Sequence, residues 1–286
     1  MLLECVPNIS EGRDSEIVDR CVQAVTACGA RVVHRTSDPV HNRSVLTMAG
    51  AYGELREAAL ALAAVAIERI DLRAHAGVHP RIGALDVLPF VPLRDATMAD
   101  AVALARETAA AIWERLRVPS FLYGEAAATP LRRNLAAVRQ GQFEGLDARF
   151  ELPGWLPDFG DVAKHPSAGA VAVGARAMLV AFNVELATAD LRVAKRIARI
   201  LRERDGGLRT LKALGLRLGD DLVQVSLNVT DYRATPLYRI VELIRELAGR
   251  AGVAVVRSEL IGCLPYAAVE ETARYYLGAN TMEKST

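Results

Sequence analysis

Apolar positions along the chain fall alternately into short runs and helical stripes. "LLECVPNIS" predicts a short buried strand ending in a turn. Ile17, Val18, Cys21, Val22, Val25 and Cys28 at helical spacing predict an amphipathic helix closed by Gly29. "ARVVHRTSD" and "NRSVLTMAG" predict two strands joined by a polar loop. A helix over about 55–70 leads through "HAGVHPRIG" into the strand "ALDVLPFVPL". Thr97 with Asp100 three positions later has the capping-box arrangement and starts a helix that runs to about Leu116. "VPSFLYGEA" predicts the next strand.

Residues 129–164 break that rhythm. Pro130, Pro153 and Pro157 with several glycines predict a short helix and then an irregular crossing. The pattern resumes with the strand "AMLVAFNVEL" and a helix marked by Leu191, Ala194, Ile197, Ala198 and Leu201. "LKALGLRL" and "LVQVSLNV" predict strands. Thr235 as N-cap with Pro236 at the first helical position predicts another helix. "VAVVRSELIG" predicts a closing strand. Each half therefore reads strand–helix–strand–strand–helix–strand, a split βαβ unit. The expected fold class is α/β (α+β), with two ferredoxin-like α/β sandwich subdomains and a ligand cleft or tunnel between them. The expected boundaries are 1–128 for the N-terminal subdomain, 129–176 for a crossing segment and 177–286 for the C-terminal subdomain and tail.

Composition narrows the function classes. The 286 residues are 51% hydrophobic, enough for a sizeable core, and a net charge of +1 gives no electrostatic footprint for nucleic acid or an anionic membrane. The N-terminus has no basic start, and Glu4 interrupts its apolar run, unlike a signal peptide. The apolar stretch 58–67 is too short to span a bilayer. A cytoplasmic protein with no membrane or nucleic-acid partner is expected. The four cysteines form no CxxC pair and are expected to be free thiols. All basic residues except Lys164, Lys195, Lys212 and Lys284 are arginine, so abundance alone singles none out as a carboxylate anchor.

His75 and His79 raise a metal question. Gly77 between them and Pro80 after them argue against a helix that would align the two rings, and no cysteine lies nearby. No metal is predicted. His79 as a base is the sharper reading. Pro80 restricts the backbone that carries it, and Arg81, if close in space, would favour the neutral ring. Asp86 stands in a strand apolar on both faces, so it is a semi-buried carboxylate in need of a partner. An Asp86 that caps the loop, with His79 bonded to a backbone carbonyl, explains the same residues. "SDPVHNRSV" puts His41, Asn42 and Arg43 on a loop that could grip a carboxylate or a polar heterocycle, or be turn chemistry. Glycines within 157–176 allow close approach to a flat ligand, but neither the GxGxxG register nor a P-loop is present. Tyr123, Gly124 and Glu125 end a strand, where site residues often stand.

Taken together, these segments resemble the glutamate formimidoyltransferases (formiminotransferases). The matches are "ECVPNISEG", "HNRSVLT", "HPRIGALDVLPFVP", "LYGEAA", "PDFG", "HPSAG", "VGAR", "AFN", "VQVSLNVTDY" and "SELIG", in order along nearly the whole chain. The resemblance implies transfer of a formimino group from N-formimino-L-glutamate to N5 of tetrahydrofolate, as in histidine degradation, with the reduced folate as acceptor substrate. It implies two related subdomains with a folate tunnel, a homodimer, and small-molecule substrates as the partners. A cyclodeaminase domain follows in vertebrate relatives. The chain stops before one could begin, so a stand-alone transferase is expected.

The catalytic histidine of the family falls on His79. The folate loop falls on Gly160, Asp161, Val162, Ala163, Lys164, His165, Pro166, Ser167, Ala168 and Gly169. Asn8, His41, Arg43, Arg81, Asp86, Glu125 and Arg176 are carried as substrate-binding or supporting residues, the arginines as anchors for carboxylates. The expected mechanism uses His79, with a pKa near neutrality, to take a proton from N5 and return one to the glutamate nitrogen. Asp86 or a backbone oxygen would orient its ring. Relatives often carry aspartate at the position of Thr36 and proline at that of Asp161. Those departures keep open a folate enzyme that uses 5-formyltetrahydrofolate or formylglutamate. A non-catalytic folate-binding protein is a further alternative. An RNA-binding ferredoxin-like module is discounted for want of aromatic strand motifs and charge.

Overall fold

The computed structural model describes residues 1–77 and 79–279. It divides into two units, Met1–Ala177 and Met178–Thr286. The first is built on a seven-stranded sheet. Its strands β1 (Leu2–Cys5) and β2 (Asn8–Ile9) are two pieces of one line, and both pair antiparallel with β4 (Arg43–Gly50) and β5 (Leu85–Arg94). The interruption falls at Pro7, which has no N–H to donate; the Pro7 carbonyl still accepts from Leu46 N at 3.0 Å. On the far side of β4, β3 (Arg31–Asp38) forms an edge.

Helices α1 (Ser15–Ala27), α2 (Tyr52–Arg69) and α3 (Met98–Leu116) pack together against the sheet. Asp14 caps α1 by accepting from Glu16 N and Ile17 N, and Gly29 follows its end with φ +85°, a left-handed turn that glycine adopts without strain. The capping box expected at Thr97 and Asp100 is present at the start of α3. Leu3, Cys5, Ile9, Leu46, Met48 and Phe90 of the sheet and Leu55, Leu62, Leu104 and Ile112 of the helices are fully buried. Each large apolar side chain of that kind contributes about 1.5–3 kcal/mol through removal from water.

Residues 129–176 belong to this first unit. They carry α4 (Leu135–Val138), α5 (Leu146–Phe150) and β7 (Val171–Ala175). β7 inserts parallel between β5 and β6 (Ser120–Gly124), so the segment expected as a crossing completes the first sheet.

The second unit has β8 (Val180–Leu186), α6 (Leu191–Leu201), β9 (Leu211–Arg217), β10 (Val223–Val229), α7 (Leu237–Arg250) and β11 (Val255–Ile261). Its antiparallel sheet runs β11-β8-β10-β9, the split-βαβ order. Alternate residues Val180, Phe182, Val184 and Leu186 meet Ala194, Ile197, Ala198 and Leu201 of α6 and Ile240, Ile244 and Ala248 of α7 in a second core. One sequence expectation needs correction. Pro236 itself is the N-cap of α7, because Thr235 instead donates its hydroxyl to the Arg209 carbonyl at 2.5 Å. The C-terminal tail contains a further helix, α8 (Tyr266–Leu277), in which only Ala268 is fully buried. Residues 280–286 of that expected subdomain lie outside the described residues.

Candidate active site

His79 lies in the loop that leads into β5, and its ring is held at one nitrogen. Nδ1 lies 2.9 Å from Arg43 Nη1 and 2.7 Å from the Pro80 carbonyl oxygen. One nitrogen cannot accept from Arg43 and donate to Pro80 at once, so the tautomer selects the partner. Either way Nε2 points elsewhere and has no hydrogen-bond partner among the described residues.

Arg43 links the ring to Asp86, which is 0% exposed. The register of β5 against β2 slips here: Asn8 faces Val87 and Ile9 faces Leu85, leaving Asp86 as the extra residue of a bulge. Its Oδ1 accepts from Ile82 N at 2.9 Å; its Oδ2 accepts from Arg43 Nη1 at 3.2 Å and Arg139 Nη2 at 2.5 Å. Arg43 also donates to Asn8 Oδ1. Burial opposes the charge on Asp86, but Arg139, Arg43 and the Ile82 N–H together hold its carboxyl below the usual carboxylate range. Arg43 is pushed down to about 10 by burial and the neighbouring Arg139, and remains charged at neutral pH.

His79 is pushed down to about 3, first by desolvation and then by Arg43 and Arg139, with Asp86 and the Pro80 carbonyl working the other way. This corrects the expectation of a near-neutral value: two guanidiniums stand beside the ring, and neither is Arg81. Arg81 turns away to pair with Glu144 (2.9 and 2.7 Å) and donates to His75 Nδ1 at 3.2 Å. His75 in turn donates through Nε2 to the Asn42 carbonyl at 3.0 Å, and Asn42 accepts from Gly12 N and donates to the Ala76 carbonyl. Gly12 and Gly77 permit this packing. A Cβ on Gly12 would lie 2.3 Å from the Asp38 carbonyl oxygen, and one on Gly77 2.4 Å from that of His41.

The low value for His79 makes a prediction about stability. The ring stays neutral in the folded protein while the unfolded chain takes up a proton below about 6.5, so stability falls as pH drops from about 6.5 towards 3. Asp86 adds a second loss in the same direction, but only below the ordinary aspartate value of about 3.9. Urea unfolding across pH should show the upper slope in the native sequence and a flattened one in His79→Gln. Equal slopes in both would contradict the assignment.

The loop Gly160–Gly169 divides in two. Its second half is stitched beside the entry to β5: Leu72 N donates to the Ser167 carbonyl (2.8 Å), Ala84 N to the Ala168 carbonyl (3.0 Å), and Ala170 N to the Ile82 carbonyl (3.0 Å). Gly169, with φ +71°, approaches so closely that a Cβ would sit 2.1 Å from the Ile82 carbonyl oxygen. The first half is looser. Asp161, Ala163, Lys164, His165 and Pro166 join Trp113 and Arg117 around a cavity of about 440 Å³. Lys164 there donates to the Phe143 carbonyl and pairs with Asp147.

Asn8, His41, Arg43, Asp86 and His79 thus come together. Glu125 and Arg176 do not join them. They stand at the far ends of β6 and β7, where Arg176 N donates to the Phe90 carbonyl, four residues along β5 from Asp86 and so about 13 Å away. Arg139 and Asp38 were missed from sequence. Arg139 follows α4, 53 residues from Asp86, with no local pattern to mark it. Asp38 lies within a quoted motif but reads as a turn former.

An imidazole beside a buried carboxylate–guanidinium lattice is a group able to take up or give a proton. The chain belongs to the formiminotransferase domain family: the N-terminal subdomain profile matches residues 2–176, and the formiminotransferase domain profile matches 181–284. It is 44% identical over 278 residues to a glutamate formimidoyltransferase of Streptococcus pyogenes, covering 96% of this chain and 93% of the relative. It is 44% identical over 287 residues to one of Thermoplasma acidophilum, covering 99% and 94%. A formimidoyltransferase-cyclodeaminase of Rattus norvegicus is 39% identical over 283 residues, and the chain spans about half of that protein (52%). Among the described residues no helix is long and apolar enough to cross a membrane.

Proposed function

We propose that the protein transfers the formimino group of N-formimino-L-glutamate to N5 of tetrahydrofolate, releasing glutamate and 5-formiminotetrahydrofolate. The observation that carries this reading is His79, within "HPRIGALDV", its Nδ1 beside Pro80 and beside Arg43, which pairs with the buried Asp86, in a chain of this family. N5 attacks the amidine carbon, and the tetrahedral adduct must lose a proton from N5 and gain one on the glutamate nitrogen before the old C–N bond breaks. In the tautomer whose Nδ1–H donates to the Pro80 carbonyl, His79 Nε2 is the free acceptor and receives the first proton. Asp86 holds Arg43 and Arg139, whose charges lie beside the ring without touching the reacting atoms, while the Pro80 carbonyl orients the ring through Nδ1–H. An anionic donor near the ring offsets the two guanidiniums and raises its proton affinity when substrate is bound.

The loop Gly160–Gly169 is read as the folate-binding segment, supported by its attachment beside β5. Arg43 and Arg81 already hold protein carboxylates, so an anchoring role for either would be shared with Asp86 or Glu144. A cytoplasmic homodimer belongs to the same reading. A spectroscopic assay with tetrahydrofolate and formiminoglutamate tests it: folate-dependent formation of the 5-formimino product is expected. Transfer from formylglutamate or 5-formyltetrahydrofolate in its place would move the assignment to the related formyl-transferring enzymes, and tight folate binding without transfer would end the catalytic reading.

A further inference from the structure

A second imidazole stands beside His79. His41 follows β3 in the loop before Arg43, and its ring centroid lies 6.0 Å from that of His79 with the planes at 72°. Asp38, the last residue of β3, holds it. Asp38 Oδ1 accepts from Val40 N at 2.8 Å and His41 N at 2.9 Å, while Nδ1–H of His41 donates to Oδ2 at 2.5 Å. A carboxylate on Nδ1 fixes the tautomer, orients the ring and stabilises an imidazolium when it forms. Nε2 of His41, like that of His79, has no hydrogen-bond partner among the described residues.

The two rings differ in company. Beside His79 lie the guanidiniums of Arg43 and Arg139, which keep the ring neutral, so that it arrives without a proton. Beside His41 lies the Asp38 carboxylate, which accepts from its Nδ1–H. An amidine exchange needs both events: one nitrogen must lose a proton and the other must gain one.

We infer that His41, oriented by Asp38, is the proton donor to the departing glutamate nitrogen, so that the two histidines divide the acid and base work. This rests on the formimino-transfer reading. The N5–carbon bond forms from the N5 lone pair, and the N5 proton passes to His79 Nε2. The proton of His41 Nε2 passes to the glutamate nitrogen as the carbon–nitrogen bond breaks and its electron pair stays on that nitrogen. One proton has entered at His79 and one has left from His41. Transfer between the rings, directly or through solvent, restores the starting state.

The test is steady-state kinetics on the full chain with His41→Ala and Asp38→Asn, alongside the native sequence. For His41→Ala, kcat should fall by ~10²–10³, within the usual range for general acid catalysis, with KM for both substrates within about threefold. Added imidazole should restore part of kcat, since the ring being replaced is partly exposed. Asp38→Asn should show a smaller fall in kcat, again with KM little changed. A kcat for His41→Ala within threefold of native overturns the inference. So does a loss expressed in KM or in thermal midpoint and unrelieved by imidazole, because that marks a turn residue. A native protein that transfers no formimino group defeats the underlying reading instead, and the two failures are told apart by the native control.

Discussion

His79→Ala is expected to lower kcat for formimino transfer by ~10²–10⁴ while the protein stays folded. The ring is only partly buried, and its removal leaves Arg43 and Arg139 still paired with Asp86. No apolar cavity opens, and the thermal midpoint should barely move at neutral pH. Loss of the base should appear in kcat and kcat/KM together, with little change in KM, because proton removal belongs to the reaction path more than to ground-state binding. A folded variant with turnover within threefold of native would remove His79 from the mechanism, and the arginine–aspartate lattice beside it would then be a structural feature alone.

Asp86→Asn should cost more in stability than any other single change at the site. The carboxylate is fully buried and is the shared counter-charge of two guanidiniums, each with a side chain about one-seventh exposed. Removing one partner of a buried charge cluster leaves the others uncompensated, an effect of about 3–5 kcal/mol. Equilibrium unfolding in urea measures it, and a loss below about 1 kcal/mol would show that solvent reaches Arg43 and Arg139 more freely than their burial indicates. Activity should fall as well, because the amide would leave Arg43 without the charge that fixes it beside the His79 ring.

The frame was legible because its signals are local. Thr97 and Gly29 announce helix ends within four residues, and the alternation Val223, Val225, Leu227, Val229 announces a strand with one buried face. α8 escaped notice because only Ala268 is fully buried along it, so its pattern has little contrast. At the site, His79, Arg43 and Asp86 stood out as residue types needing partners, but the partners themselves did not. Asp86 required a cation, and with arginine so abundant the sequence had no means of choosing Arg139. The direction of its carboxylate was equally hidden, since strict alternation along β5 fails at the bulge opposite Asn8 and Ile9. The pKa of His79 followed these omissions: with Arg81 as the supposed neighbour, the combined push of Arg43 and Arg139 could not be foreseen.

The late arrival of β7 bears on how the polypeptide can be made and divided. β5 and β6 are successive strands, joined through α3, yet they stand two inter-strand spacings apart, about 9.6 Å, with the place between them taken by residues that leave the ribosome some fifty positions after β6 begins. Until then both strands carry open inner edges of the kind that recruit foreign chains. A fragment ending near residue 128 would keep that gap permanently, so the first unit has to be inherited, expressed or transplanted whole, through Ala177.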